Sequence, residues 1–417
     1  MKKVREGYKM TEFGEIPSEW NINLVKDITT EHKQGYYAKN DYNDNGTYLM
    51  RITDLRNQKI NFKEMPRIEI DDDIYEQYKV ELGDFLFARS GAIGRYGIYD
   101  TEDYPQAVFA SYIIRFRFNT SNVNNKYFGY FYESNYCLNQ LKAITQGSSN
   151  ININANNIKD LKICLPPLKE QEKIALILST VDEQIDNVDE LIQKNKELKK
   201  GLMQQLLTKG IGHTKFKKTE IGAIPEEWEV VKLSNCANII DSLHETPEYS
   251  ESGFSMIRVI DVNGKAIDTK STNKVCEEVY KKFTRKYEPQ KGDIIMSRVG
   301  SYGLVSYLKD SEKVCLGQNI VVITTELYKR YLFYVLSSEY IKRNIEKVTV
   351  GSSQKTLSLA NINALKVPVP RIQEQKEIAL ILSEVDKRIE EYENKKEKLE
   401  ELKRGLMQQL LTGKIRV

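Results

Sequence analysis

Cysteine and histidine are scarce in this chain, and so are catalytic signatures. The five cysteines (Cys137, Cys164, Cys236, Cys276 and Cys315) are odd in number and form no CxxC pair. That argues against a disulfide frame, and each is expected to be a small buried hydrophobe. The three histidines, His32, His213 and His244, stand at no metal-ligand spacing with cysteine or carboxylate, so no metal site is expected. No apolar run approaches the ~20 residues that span a bilayer, and Met1-Lys2-Lys3-Val4-Arg5-Glu6 carries no hydrophobic signal segment. A cytoplasmic protein is expected. There is no GxxxxGK[ST] phosphate loop, no GxSxG elbow and no Cys/His nucleophile pair. Gly91-Ala92-Ile93-Gly94-Arg95-Tyr96-Gly97 spaces its glycines regularly but is not GxGxxG, and it reads as a turn. Catalysis is not expected of this chain.

An excess of charge of one sign is missing as well. The net charge is +3, distributed as −1 over residues 1–165, −1 over 166–210, +4 over 211–369 and +1 over 370–417. Any nucleic-acid binding must come from a face that segregates charge, because composition does not announce it.

What the 417 residues do hold is a repetition of half the chain. Glu170-Gln171, Ile174-Ala175-Leu176-Ile177-Leu178-Ser179, Val181-Asp182 and Gly201-Leu202-Met203-Gln204-Gln205-Leu206-Leu207-Thr208 all return 204 positions later, within residues 374–412. Each copy opens alike, Lys9-Met10-Thr11-Glu12 through Ile16-Pro17 to Trp20 and Lys217-Lys218-Thr219-Glu220 through Ile224-Pro225 to Trp228. The Pro and Gly mark a turn before a Trp expected to plug a core edge. Further echoes are Arg51/Asp54 with Arg258/Asp261, Gly83–Gly94 with Gly292–Gly303, and Gly147-Ser148-Ser149 with Gly351-Ser352-Ser353. Short β-branched and aromatic runs such as 111–118 and 319–323 read as strands, while 127–141 and 328–345 read as helices. The stretches 29–80 and 237–290 share little.

Each long helix follows prolines, which suit a first helical turn. Leu178, Val181, Ile185, Val188, Ile192, Asn195 and Leu202 recur at spacings of three and four, as do Leu382, Val385, Ile389, Tyr392, Leu399, Leu406 and Leu410, with polar Asn195 and Lys396 interrupting the seams. About 40 residues at ~1.5 Å rise give helices about 60 Å long. No linker runs back along such a rod, so an antiparallel pairing is expected. The fold class is α+β: two mixed α/β domains, 1–165 and 211–369, joined by helices within 166–210 and 370–417 as an antiparallel coiled coil with pseudo-two-fold symmetry.

Duplicated domains, each closed by a helix opening PPLxEQxxIAxIL…VD and ending KKGLMQQLLT, resemble the specificity subunit of Type I restriction-modification systems. The resemblance covers essentially the whole chain. It implies two target recognition domains, each reading one half of a bipartite DNA site, and helices that set the spacing. It also implies two modification methyltransferase subunits and restriction (translocase/nuclease) subunits as partners. S-adenosylmethionine, ATP and Mg²⁺ are implied for those partners only, with no cofactor on this chain. Residues common to both domains, Arg89 and Arg298, Gly91 and Gly300, and Gly94 and Gly303, suit phosphate positioning or shared turns, and Ser90, Ser148, Ser149, Ser301, Ser352 and Ser353 beside such turns are further DNA-binding candidates. Base reading is expected of diverged positions: Tyr36, Tyr37, Lys39, Arg56, Asn57, Gln58, Arg95, Tyr96 and Asn150 in the first domain, and His244, Asn263, Lys265, Tyr302, Gln354 and Lys355 in the second. A plainer alternative pairs Arg89 with Asp84 and Arg298 with Asp293 inside a turn. Arg51–Asp54 and Arg258–Asp261 read as scaffold ion pairs. Gln171, Gly201, Gln204 and Gln205, with Gln375, Gly405, Gln408 and Gln409, form a candidate repeated docking surface; close helix approach or end fraying would also explain the two glycines.

A coiled-coil adaptor that binds proteins at both ends, or a nuclease of unfamiliar class, are the rival readings. Incubated alone with Mg²⁺ and supercoiled plasmid, the chain is expected to leave the plasmid intact on an agarose gel; nicked or linear product would establish the nuclease instead.

Overall fold

The computed structural model describes residues 4–38, 42–90, 94–145, 152–349 and 356–417. The chain divides into two compact units, residues 1–189 with 394–417, and residues 190–393.

In the first unit, strands β1 (Thr29–Gln34), β2 (Phe85–Ala88), β3 (Tyr96–Ile98) and β4 (Ile113–Phe118) form an antiparallel sheet in the order β1-β4-β2-β3. Side chains of successive strand residues point to opposite faces, so a central strand buried on both sides is apolar throughout. That is why Phe85-Leu86-Phe87-Ala88 has no polar position. Phe85 and Phe87 enter one core, with the helix Asn125–Glu133 and the start of the long helix Leu168–Lys209. Leu86 and Ala88 enter a second core, under a three-stranded sheet of residues 107–109, 47–50 and 67–68.

The second unit repeats the plan. Strands β5 (Ala237–Asp241), β6 (Ile294–Ser297), β7 (Val305–Tyr307) and β8 (Ile320–Thr325) pair in the order β5-β8-β6-β7. Ile294 and Met296 face the core that holds helix Lys329–Leu336, and Ile295 faces the opposite core. A three-stranded sheet of 314–316, 254–257 and 273–275 reproduces the parallel and antiparallel pairings of its counterpart. Among the described residues, no helix is long and apolar enough to cross a membrane.

The long helices span Leu168–Lys209 (central) and Ile372–Leu410 (distal). In the first unit Lys396 meets Asp189 at 2.7 Å and Lys403 meets Asp182 at 2.8 Å. In the second unit Lys196 meets Glu393 at 3.4 Å and Lys199 meets Asp386 at 2.5 Å. One number rises as the other falls, so the helices pair antiparallel in each unit, as the seam and the missing linker require. Leu178, Val181, Val188, Ile192, Leu382, Val385 and Ile389 are buried along the seam. Of the two polar interruptions, Lys396 finds Asp189, while Asn195 turns its amide back to the Leu191 carbonyl at 2.8 Å.

Both expected plugs are buried. The Trp20 indole donates to Glu170 at 3.1 Å and the Trp228 indole to Glu374 at 3.0 Å, joining each opening turn to the first turn of a long helix. The expectation that every cysteine is buried holds for Cys137, Cys164 and Cys315 but not for Cys236, which is half-buried, or Cys276, which is exposed just before helix Glu277–Phe283. At Cys276 a strand has just ended and the residue stands at the N-terminal boundary of that helix, with no side-chain capping hydrogen bond.

The clearest internal difference lies where the sheet-backing helix of each unit meets the long helices. Tyr130 and Tyr334 each donate at 2.7 Å to the repeated aspartates, Asp182 and Asp386. In the first unit Lys403 also approaches Glu133 at 3.3 Å, and Glu133 accepts from Tyr96 at 2.7 Å. Burial pushes the Glu133 carboxyl up; burial also pulls on Lys403, but its two carboxylates outweigh it and hold the ammonium above its ordinary value. In the second unit Ser337 and Val305 stand in place of Glu133 and Tyr96, and among the described residues Lys199 pairs with one carboxylate, Asp386. Removing one partner of a partly buried ion cluster is costly because the charges left behind stay desolvated. Lys403→Met should therefore lower stability by about 2 kcal/mol and Lys199→Met by distinctly less, read as shifts in thermal melting; equal shifts would refute the difference.

Candidate nucleic-acid interface

The arginine common to both units follows the central strand β2 or β6 and is pinned by its backbone in the same way. Arg89 N–H donates to the Tyr112 carbonyl at 2.9 Å, and its own carbonyl accepts from Ile153 at 2.8 Å. Arg298 N–H donates to Asn319, and its carbonyl accepts from Leu357, both at 2.8 Å. The side chains then part company. Arg298 binds both oxygens of Asp241 at 2.8 and 2.9 Å and donates from Nε to the Leu357 carbonyl at 3.0 Å. His244 lies 2.9 Å from the same carboxylate. Strand register places Gln34 where the second unit has Asp241, since Gln34 faces Ile114 and Asp241 faces Val321. Arg89 thus has no carboxylate partner among the described residues, and its Nε is buried without a hydrogen bond.

The alternative pairing of these arginines with Asp84 and Asp293 is incorrect. Asp84 is taken by Arg117 at 2.7 Å, and Asp293 by Lys329 at 2.7 Å and the Tyr287 hydroxyl at 2.7 Å. Both aspartates are buried beside neighbouring strand and helix residues that reach them first. The scaffold pairs do form: Arg51 with Asp54 at 2.9 Å, and Arg258 with Asp261 at 3.2 Å. Their aspartates also accept the arginine backbone N–H at 2.8 Å, closing a one-turn helix in each unit.

The base-reading candidates scatter. Tyr96 is fully buried, stacked on Phe85 at 4.9 Å, and is core rather than surface. Tyr36 bridges Ala110 and packs on Tyr78, so it too serves the fold. Tyr302 packs against the second unit's core. Asn57 and Gln58 form a two-residue hairpin loop between 55–56 and 59–60, with φ of 38° and 61°, the signature of a left-handed tight turn. Gln58 also donates to the Lys126 carbonyl at 3.2 Å. Lys265 reaches Glu393 of the distal helix at 2.6 Å, a tether rather than a free cation. Arg95 reaches the Ile52 carbonyl at 3.4 Å, and Ser90 bridges Asn152. The Ser301 carbonyl accepts the Ser297 hydroxyl. Tyr37, Arg56, Asn263, His244 and Ser301 are exposed. Lys39, Ser148, Ser149, Asn150, Ser352, Ser353, Gln354 and Lys355 lie outside the described residues.

On the helices, the two repeated glutamines are not surface. Gln171 accepts from Asn124 N–H at 2.9 Å and donates to the Asn122 and Pro166 carbonyls. Gln375 accepts from Tyr328 N–H at 2.9 Å and donates to the Pro370 carbonyl. Both are buried, so the repetition of Gln171 and Gln375 is explained by joining head to helix, not by docking. Gln204, Gln205, Gln408 and Gln409 are exposed. A Cβ built on Gly201 or Gly405 meets no atom within 4 Å, so close helix approach does not account for either glycine.

Asp241, Ser242 and the cations Arg285 and Lys286 escaped sequence reading, although Lys281-Lys282-Phe283-Thr284-Arg285-Lys286 is a basic run visible in the chain. Asp241 could not be found that way, because only β-pairing brings it to Arg298.

Comparison with known proteins adds the family. A model described as the type I restriction modification DNA specificity domain matches twice, over residues 17–200 and 225–401. A protein of Methanocaldococcus jannaschii, assigned as the MjaX specificity subunit of a type I restriction enzyme, is 33% identical over 425 aligned positions that cover 99% of this chain and 97% of the relative. The MjaVIII specificity subunit of the same organism is 34% identical over 66% of this chain and 67% of its own length. The crystal structure of a type I restriction-modification S subunit from M. genitalium shares the fold at a TM-score of 0.62 and 16% identity, over 98% of this chain and 97% of that one.

The two arginines should differ in their contribution to folding. Arg298→Met strands Asp241 and is expected to cost about 2 kcal/mol, whereas Arg89→Met removes an unsatisfied donor and should be near neutral. Thermal melts of the two variants decide this, and equal losses would contradict the assignment.

Proposed function

The chain belongs to the family of type I restriction-modification DNA specificity domains, and on that premise we propose how its two units divide the work of recognition. A specificity subunit is a DNA-recognition component and not itself catalytic. In this proposal residues 1–165 read one half of a bipartite site and residues 211–369 the other. Helix length sets the number of unread base pairs between half-sites. For a pseudo-two-fold protein on a duplex, half-sites fall about one helical turn, ~34 Å, apart. Two methyltransferase subunits and the restriction (translocase/nuclease) subunits are the partners, and they hold S-adenosylmethionine, ATP and Mg²⁺. Exposed Gln204, Gln205, Gln408 and Gln409 are the proposed contact with the methyltransferase.

The observation that carries this reading is the same strand order in both units with a different environment at the shared arginine. Identical readers would demand identical half-sites. Here Arg89, free of any carboxylate among the described residues, is the DNA-contacting cation of the first unit. Arg298 is neutralised by Asp241 and serves as scaffold.

Replacing residues 1–165 with the corresponding domain of a relative, within the methyltransferase complex, is expected to change one half-site in the host methylome and leave the other intact. Alteration of both halves would end the modular reading. Absence of any gel shift with duplex DNA in the complex would favour the protein-binding adaptor instead.

A further inference from the structure

We propose that the second unit seats a backbone phosphate of double-stranded DNA in a notch between Ser242 and the Arg285–Lys286 corner. This rests on the chain being a DNA-recognition subunit and goes further, naming a contact that the first unit cannot make.

The notch is a cavity of 260 Å³ beside the end of β5, floored by Leu316 and Val322. Ser242, 6% exposed, lines it, and its hydroxyl has no hydrogen-bond partner among the described residues. A buried hydroxyl left unmatched costs about 1–3 kcal/mol, so an acceptor that arrives on binding would recover what folding leaves unmade.

The charges around the notch leave a surplus of cations. Asp241 is consumed by Arg298 and His244. Glu245 is consumed by Lys282. Arg285 and Lys286 are exposed on the rim and have no carboxylate partner among the described residues. The adjoining helix Glu277–Phe283 ends at this corner, so its dipole offers carbonyls rather than N–H groups. The anion is therefore held by side chains: the Ser242 hydroxyl donates inside, and Arg285 and Lys286 donate from the rim. An Arg–Lys pair around a hydroxyl donor matches a phosphodiester oxygen pair.

The first unit lacks each part. Gly35 occupies the position of Ser242, because Gly35 N–H donates to Ile113 as Ser242 N–H donates to Ile320. A Cβ at Gly35 would stand 2.1 Å from the Ala110 carbonyl oxygen, so no side chain fits there. The connection from helix to central strand spans residues 284–293 in the second unit but only 79–84 in the first, and the shorter link has no room for the Arg-Lys corner. The second unit thus spends its shared arginine on Asp241 and grips the backbone elsewhere.

The test uses the full chain with its cognate methyltransferase, titrated with target and random duplexes across a salt series. Arg285→Gln/Lys286→Gln should flatten the slope of log affinity against log salt by about 1, the share of one phosphate, on both duplexes alike. Ser242→Ala should weaken binding roughly tenfold while leaving the melting temperature unchanged or raised. Lys281→Gln, whose lysine pairs with Glu277 outside the notch, serves as the charge control and should keep the wild-type slope to within measurement. A double variant with the wild-type slope overturns the proposal, as does a loss confined to the target duplex, which would mean base reading. A wild-type complex that binds no DNA overturns the recognition reading itself, and the notch with it.

Discussion

In each unit one helix carboxylate ties three elements together. Asp182 accepts a hydrogen bond from Tyr130, on the helix that backs the sheet, and an ion pair from Lys403 of the distal helix. Asp386 does the same with Tyr334 and with Lys199 of the central helix. A partly buried carboxylate needs both a donor and a cation to offset its lost hydration. That requirement fixes the rotation of the recognition head about the helix pair, and in each unit the two long helices contribute in exchanged roles. The indoles of Trp20 and Trp228 and the amides of Gln171 and Gln375 add further constraints at the helix starts. A rigid mounting is what a recognition head needs, because a contact that specifies a base loses its value if its frame can tilt.

On this common mounting the two heads have diverged by exchanging charge and volume at equivalent positions. Glu133 with Tyr96 in one unit becomes Ser337 with Val305 in the other, and Gly129 becomes Phe333. A Cβ on Gly129 would stand 2.7 Å from the Tyr96 hydroxyl, so the large tyrosine requires the glycine; the smaller Val305 accompanies the larger phenylalanine. Gln34 exchanges with Asp241 in the same manner, with the opposite effect on the neighbouring arginine. Compensation of this kind keeps the sheet and its cores intact while the electrostatic surface changes.

The repeat, the helices, their antiparallel course and the buried tryptophans were legible because each follows from periodicity or from a phrase said twice. A seam at spacings of three and four must be buried, and a chain without a return linker must fold back. The site was legible only in part. Tyr96 and Tyr36 look like surface aromatics when judged by their neighbours in sequence, yet they complete the core and strand pairing. Gln171 and Gln375 repeat, as docking residues would, but they repeat because both heads need the same buried junction.

Sequence by itself determined the duplication, the α+β class and the helix seam, since these depend on local spacing and on apolar pattern. Tertiary structure decided which arginine is neutralised and where a hydroxyl is left unmatched. Asp241 and Arg298 are 57 residues apart along the chain, and two strands, Phe254–Ile257 and Asn273–Val275, intervene between Ser242 and Arg285. Electrostatic coupling falls off with distance through space, and only β-sheet register brings Asp241 to 2.8 Å from Arg298 and sets Ser242 and Arg285 around one cavity.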